Sequence, residues 1–196
     1  MLILVRHGET AVNTQGRLQG RIETALTERG RDQATRLAAA VAALEPVAVV
    51  SSPLRRARET AAAIGAATGL VVEIDERLTE LDYGTWEGWR FSDLPDGTFD
   101  TWRADPTFAP PRGESLVDLR TRVVPCIEEL LDRERPVVAV SHVSPIKAAV
   151  TWALGIGDAA TWRMHLNVAS ISRVDRRATG GPPVLAGFNE TTHLPG

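Results

Sequence analysis

The chain holds one cysteine, Cys126, in 196 residues. An internal disulfide is therefore impossible, and the composition fits a reducing cytosol, so a cytoplasmic location is expected. Long apolar runs are missing too. No stretch approaches the ~20 residues needed to cross a bilayer, and the opening MLILVRHG is too short, and lacks the basic start, for a signal peptide. Charge of one sign is not in excess. The formal net charge is −3, which gives no field to hold nucleic acid or an anionic membrane. A phosphate site would have to be built from local arginines. Neither G-x-x-x-x-G-K-S/T nor G-x-G-x-x-G after a strand occurs, which removes the loops that cradle polyphosphate. The four histidines, His7, His142, His165 and His193, show no close ligand spacing and have no cysteine pair to join them. Neither a metal nor another cofactor is expected. There is no internal repeat.

What is present is an alternation of short apolar runs and helical periods. The length suits one domain, residues 1–196, that buries roughly 70% of its extended-chain surface. Residues 2–5 (LILV) form a short continuous apolar run, the pattern of a strand buried on both faces. From Thr27 to Leu44 the period changes, with Ala34, Leu37, Ala38 and Val41 on one helical face and Thr27 placed to cap it. Pro46 ends that helix and residues 47–50 (VAVV) make the second strand. Ser52 then stands as an N-cap, with Pro53 at the first helical position and Gly69 as the stop. A third strand follows at 70–74. Residues 82–113 change character, with four prolines and seven aromatic residues, and read as an excursion from the sheet with short helical pieces. A helix capped by Ser115 follows, with Pro125 expected to kink it. Residues 137–141 (VVAVS) form a buried strand, and Ser144 and Pro145 start a helix that stops near Gly155. ISRVD and VLAGF, joined through Gly-Gly-Pro-Pro, close the chain as a hairpin. The alternation predicts an α/β fold: a three-layer α/β/α sandwich around a mainly parallel sheet with an antiparallel edge.

Open parallel sheets bind ligands beyond the carboxyl ends of their strands. Four such places carry groups a fold alone does not need. Arg6 and His7 follow the first strand, and an arginine beside a histidine opposes protonation of the imidazole. Arg56 lies in the first helical turn after the second strand, Glu80 follows the third, and His142 follows VVAVS. In SSPLRRARETA, Arg55, Arg56 and Arg58 crowd the positive end of a helix, where cations are disfavoured by ~0.3–1 kcal/mol each. A bound anion reverses that sign. Bending away into water is the ordinary alternative for Arg55 and Arg58, and a satisfied core histidine is the alternative for His142.

Taken together in order, LVRHGETAVNTQGRLQG, SSPLRRARETA, RLTELDYGTWEG, RGES and AVSHVSPI resemble the motifs of the histidine phosphatase (phosphoglycerate-mutase-like) superfamily. The resemblance runs from about residue 2 to 150. It implies that His7 is the nucleophile that becomes phosphohistidine, that Arg6, Arg56 and His142 surround the phosphoryl group, and that Glu80 protonates the leaving oxygen. Asn13, Gln19 and Gly20 match positions near the phosphate. The chemistry of the residues agrees. A phosphomonoester repels an anionic nucleophile, whereas a neutral imidazole kept so by neighbouring arginines does not. Fixed bidentate donors suit the equatorial oxygens of the transition state. One departure stands out: Val143 replaces the glycine that usually follows the second histidine, which narrows the backbone and adds bulk near the pocket.

NTQGRLQGRIETALTERG resembles the phosphatase branch, including the ribazole-phosphate type, rather than the mutases with their longer insert and tail. The function expected is therefore hydrolysis of a small-molecule phosphate monoester without a metal. Phosphoglycerate-mutase-type transfer is the alternative, and a non-catalytic binding module ranks third. Trp86 and Trp89, close to the Glu80 motif, are the first-choice contacts for the leaving group, although aromatics there also serve to pack the excursion onto the core. Arg21 is placed to meet a second anionic group or simply to sit in water. Asp82 and Glu87 are further candidates for the acid. A homodimer, and a tail from Pro182 that crosses the site or avoids it, are left open.

Overall fold

A computed structural model describes residues 1–133, 136–176 and 181–195. Six strands form one sheet in the order β3-β2-β4-β1-β5-β6. They are β1 (Leu2–Arg6), β2 (Ala48–Ser51), β3 (Val72–Ile74), β4 (Val137–Ser141), β5 (Ile171–Arg176) and β6 (Pro183–Glu190). The first four in sequence run parallel, and β5 and β6 complete the sheet antiparallel beside β1. Residues 177–180, within the hairpin connection, lie outside the described residues.

Strand alternation assigns the two faces. Ile3 and Val5 of β1, with Val138 and Val140 of β4, pack against α2 (Glu28–Ala42) and α3 (Arg55–Thr68). Leu2, Leu4, Val137 and Ala139 face the other way, toward α5 (Leu116–Asp132) and α6 (Val143–Leu154). Helices therefore cover both faces, which is the expected three-layer sandwich with its antiparallel edge. Among the described residues no helix is long and apolar enough to cross a membrane.

Several helix ends follow the sequence. Thr27 caps α2 by accepting from the Gly30 amide at 2.9 Å. Ser115 and Asp118 form a capping box on α5, and Gly69 closes α3 with φ 74°. Others differ. α3 begins at Arg55 rather than at Pro53, and its N-cap, Leu54, offers no side-chain bond. The Ser52 hydroxyl accepts from the Leu54 amide at 3.3 Å and also meets His142 Nε2 at 2.7 Å. α6 is capped by His142, not by Ser144. β3 is shorter than predicted and lies at the sheet edge, with Val71 beside it 86% exposed. The helix predicted to contain Pro125 is present as α5, with Leu119, Val123, Ile127 and Leu130 buried along one side.

The excursion at 82–113 contributes two 3-10 turns, Gly84–Trp86 and Phe91–Asp93, and a short helix, α4 (Thr98–Ala104). Trp102 of α4 is fully buried and ties them together. Its ring lies 5.7 Å from Tyr83, 5.4 Å from Trp86 and 5.1 Å from Trp162, edge-on or tilted to each.

Candidate active site

Strand register creates the site. Arg6 pairs with Ser141 and Ser51 with Val140. The residues one step beyond, His7, His142 and Ser52, therefore emerge side by side at the carboxyl rim of β1, β4 and β2. The glycine after His7 is sterically required. A Cβ on Gly8 would sit 2.5 Å from the Gly30 carbonyl oxygen, where the loop crosses the first turn of α2. The Gly8 amide donates to the Thr60 hydroxyl of α3 at 3.1 Å, so the turn carrying His7 is fixed from two helices.

The hydrogen bonds set both tautomers. His7 Nδ1 lies 2.7 Å from the Gly8 carbonyl, which can only accept, so Nδ1 carries the proton and Nε2 keeps its lone pair. Arg56 Nε donates to that lone pair and to His142 Nδ1, both at 3.2 Å. His142 Nε2 is then the protonated nitrogen and donates to Ser52 Oγ at 2.7 Å. The two rings lie 5.1 Å apart with Arg56 between them. Both imidazoles are pushed well below the usual histidine pKa, first by burial and then by the charge on Arg56. The reading of His142 as a satisfied core histidine and the reading of it as a site residue meet in one geometry.

Arg56 itself is fully buried. Its NH1 donates to the Ile22 carbonyl at 2.9 Å and its NH2 to the Gly20 carbonyl at 2.7 Å. Burial lowers its proton affinity and the charge of Glu80 counters. Arg6 donates to the Leu166 carbonyl at 2.5 Å, and its buried Nε has no partner among the described residues. Burial pulls its pKa down to about 10, with Glu80 again the chief opposing charge. These arginines are thus held charged in a desolvated place with donors to spare, an arrangement that an anion would satisfy.

Glu80 is buried on the same cavity wall. Its Oε1 accepts from the amides of Leu81 at 2.8 Å and Ser144 at 3.2 Å. The backbone leading to it is held by Arg122 of α5. That side chain donates to the carbonyls of Arg77, Thr79 and Glu80 at 2.8, 2.8 and 3.1 Å and pairs with Glu114 at 2.7 Å. The sequence reading missed Arg122, Ser52 and Lys147. The first two act through other residues, and only the fold shows whom they touch.

The cavity above these groups measures about 680 Å³. Arg6, His7, Asn13, Gln19, Glu80 and Val143 line it. Asn13 and Gln19 are linked by a 3.2 Å bond from Asn13 Nδ2 to Gln19 Oε1, and Gln19 Nε2 is closed off on Thr24. Gly20 contributes its carbonyl to Arg56 rather than a surface to the cavity. Three proposed contacts are placed elsewhere, Trp89 among them as an exposed ring outside the cavity lining. Trp86 is 5% exposed within the aromatic core, stacked near Phe108, because packing Trp102 needs its ring. Arg21 reaches Asp82 at 3.3 Å and Glu114 at 3.4 Å. Phe91 and Phe99 supply the cavity wall from the excursion instead, and Trp162 joins them. Asp82 and Glu87 are held by Arg21, through its guanidinium and its amide, and do not line the cavity. Of the tail, His193 bonds the Ala169 carbonyl at 2.9 Å, and none of the described residues from Pro182 onward lines the cavity. Among the described residues no cluster of three His, Cys, Asp or Glu side chains is placed to hold a metal ion.

Comparisons with known proteins identify the family. Glucosyl-3-phosphoglycerate phosphatase of Mycobacterium tuberculosis is 41% identical over 160 residues, 75% of this chain and 72% of its own. Phosphoserine phosphatase 1 of Hydrogenobacter thermophilus is 34% identical over 199 residues, 98% of this chain and 93% of its own. The solved structure of mycobacterial glucosyl-3-phosphoglycerate phosphatase complexed with VO3 superposes with a TM-score of 0.89 at 35% identity, covering 97% of this chain and 99% of the other. The histidine phosphatase superfamily (branch 1) matches residues 2–191. With the family match over almost the whole chain and relatives at this identity, this chain belongs to the histidine phosphatase superfamily.

Proposed function

We propose that this protein hydrolyses a small organic phosphate monoester by way of a phosphohistidine on His7. The observation that carries the reading is the lone pair of His7 Nε2. The Gly8 carbonyl fixes the proton on the other nitrogen, and burial, with the charges of Arg56 and Arg6, keeps the ring neutral. Arg56 Nε–H, which rests on that lone pair, turns to the phosphoryl oxygens as Nε2 attacks phosphorus, and the bond from phosphorus to the ester oxygen breaks. Arg6 and Arg56 offer their remaining N–H donors to the equatorial oxygens, and His142, which accepts from Arg56 Nε and donates to Ser52, orients that guanidinium. The ring becomes cationic in that step, which strengthens the bond from Nδ1–H to the Gly8 carbonyl. Glu80, in its acid form, gives its proton to the departing oxygen, so an alcohol leaves rather than an alkoxide. Water then attacks the phosphohistidine, and the Glu80 carboxylate takes the proton. The bond from Nε2 to phosphorus breaks, which releases inorganic phosphate and returns the lone pair. The metal-free positive charge comes from the arginines.

The named substrates of the two relatives, glucosyl-3-phosphoglycerate and phosphoserine, are both small phosphate monoesters, which supports the size class. Mutase-type transfer shares every step up to the phosphohistidine. It is separated by incubation with 3-phosphoglycerate and 2,3-bisphosphoglycerate, where phosphate release faster than isomerisation supports hydrolysis. The direct test is p-nitrophenyl phosphate. The protein should hydrolyse it in the presence of EDTA, form an acid-labile phosphoenzyme, and lose both properties as His7→Ala. Wild-type turnover in that variant would remove His7 from its role.

A further inference from the structure

The phosphoryl chemistry leaves two cations of the cavity lining unused: the exposed Arg17, which donates to the Gly88 carbonyl at 2.6 Å, and Lys147. Lys147 stands on α6 one helical turn after Val143, so both project from the same side of the helix into the cavity. It is half-buried, and no hydrogen bond or salt bridge joins it to any described residue. Nearly every other buried or half-buried cation around the site is held by protein oxygens: Arg122 by Glu114 and three carbonyls, Arg56 by two carbonyls, Arg6 by Leu166. A desolvated ammonium with three donors and no acceptor is costly unless a ligand completes it.

Its neighbours locate that ligand group. Burial lowers its proton affinity, the charge of Glu80 acts against this, and Arg6 adds to it. Lys147 therefore lies within electrostatic reach of the acid and of the phosphate-binding arginine. A substituent close to the ester oxygen, and not one far along the molecule, would meet it. A single ammonium matches one negative charge held by two oxygens better than a second, doubly charged phosphate.

We propose that Lys147 is a specificity-determining residue that takes a carboxylate on the leaving alcohol, so that the protein prefers phosphate esters of hydroxy acids to those of neutral alcohols. This rests on the phosphatase reading and deepens it. Phe91, Phe99 and Trp162 form an apolar wall of the same cavity and take whatever bulk the acid carries.

The test compares 3-phosphoglycerate with glycerol 3-phosphate, which share carbon skeleton and ester and differ in the carboxylate. Each is measured as substrate and as competitive inhibitor of p-nitrophenyl phosphate hydrolysis, so the ratio of inhibition constants is obtained even if turnover of either is slow. The wild type should favour 3-phosphoglycerate by about tenfold or more, the worth of one charged hydrogen bond. Lys147→Met keeps the aliphatic stem and should bring the ratio near one, chiefly through KM for 3-phosphoglycerate. Lys147→Arg should restore part of it. An equal loss for both compounds in the Met variant, or no preference in the wild type, overturns the proposal. Absence of p-nitrophenyl phosphate hydrolysis in the wild type overturns the phosphatase reading instead. The proposal is then judged from the same pair by calorimetric binding to wild type and Met variant, where equal affinities overturn it.

Discussion

Replacing Glu80 by glutamine removes a proton donor while disturbing little else. Both hydrogen bonds to the side chain, from the amides of Leu81 and Ser144, end on Oε1, which becomes the glutamine carbonyl and still accepts. Oε2 has no hydrogen-bond partner among the described residues, so the new NH2 displaces no bond. Stability should therefore change by no more than about 1 kcal/mol. Catalysis should respond according to the leaving group. A positioned general acid contributes roughly 10²–10⁴-fold, or about 3–5.5 kcal/mol of barrier, when the departing oxygen is strongly basic. A nitrophenolate departs without help, so its rate should fall only a few-fold. The comparison belongs on kcat/KM, which reports phosphoryl transfer to His7. The kcat value also contains hydrolysis of the phosphohistidine, where Glu80 acts as base whatever the substrate. The assay is a series of aryl and alkyl phosphates in wild type and Glu80→Gln, plotted against leaving-group basicity. A steeper dependence in the variant is expected. A uniform loss across the series would show that Glu80 only supports the negative field around Arg6 and Arg56.

Two further outcomes follow from burial. His7 and His142 are held neutral in the folded protein, whereas the unfolded chain takes up protons below about pH 6.5. The folded form is thus at full stability above that pH and loses about 1.4 kcal/mol per pH unit per histidine on acidification, until the depressed native values are reached. Urea unfolding at pH 7.5, 6.5 and 5.5 should show this slope in the wild type and a shallower one in a His7→Gln, His142→Gln variant. Equal slopes would mean the native imidazoles titrate normally. Trp86→Ala should cost about 3–5 kcal/mol of stability, as a large aromatic lost from a packed cluster, with KM little changed. A KM effect without destabilisation would return Trp86 to the substrate.

Where the sequence reading differed from the structure, competition between local and distant partners explains it. Ser52 before a proline is a sound local cap signal, yet its hydroxyl serves His142, ninety residues away. Arg21, between Gly20 and Ile22, offered no sign that Asp82 and Glu114 would claim it. Aromatic residues in the excursion could not be sorted by composition, because Trp86 and Phe91 both pack near Trp102 and only Phe91 reaches the cavity.

By itself the sequence determined the alternation of buried strands and capped helices, and hence the parallel sheet and its rim. It also supplied the residues that chemistry would need there, because strand hydrophobicity and functional side chains are both written in short contiguous stretches. Only the tertiary structure decided that Arg56 stands between the two imidazoles, which nitrogen of each keeps its lone pair, and that Lys147 enters the cavity without a partner. Those depend on strand register and on the rotation of helices about their axes, which set distances between residues far apart in the chain and leave no mark on their order.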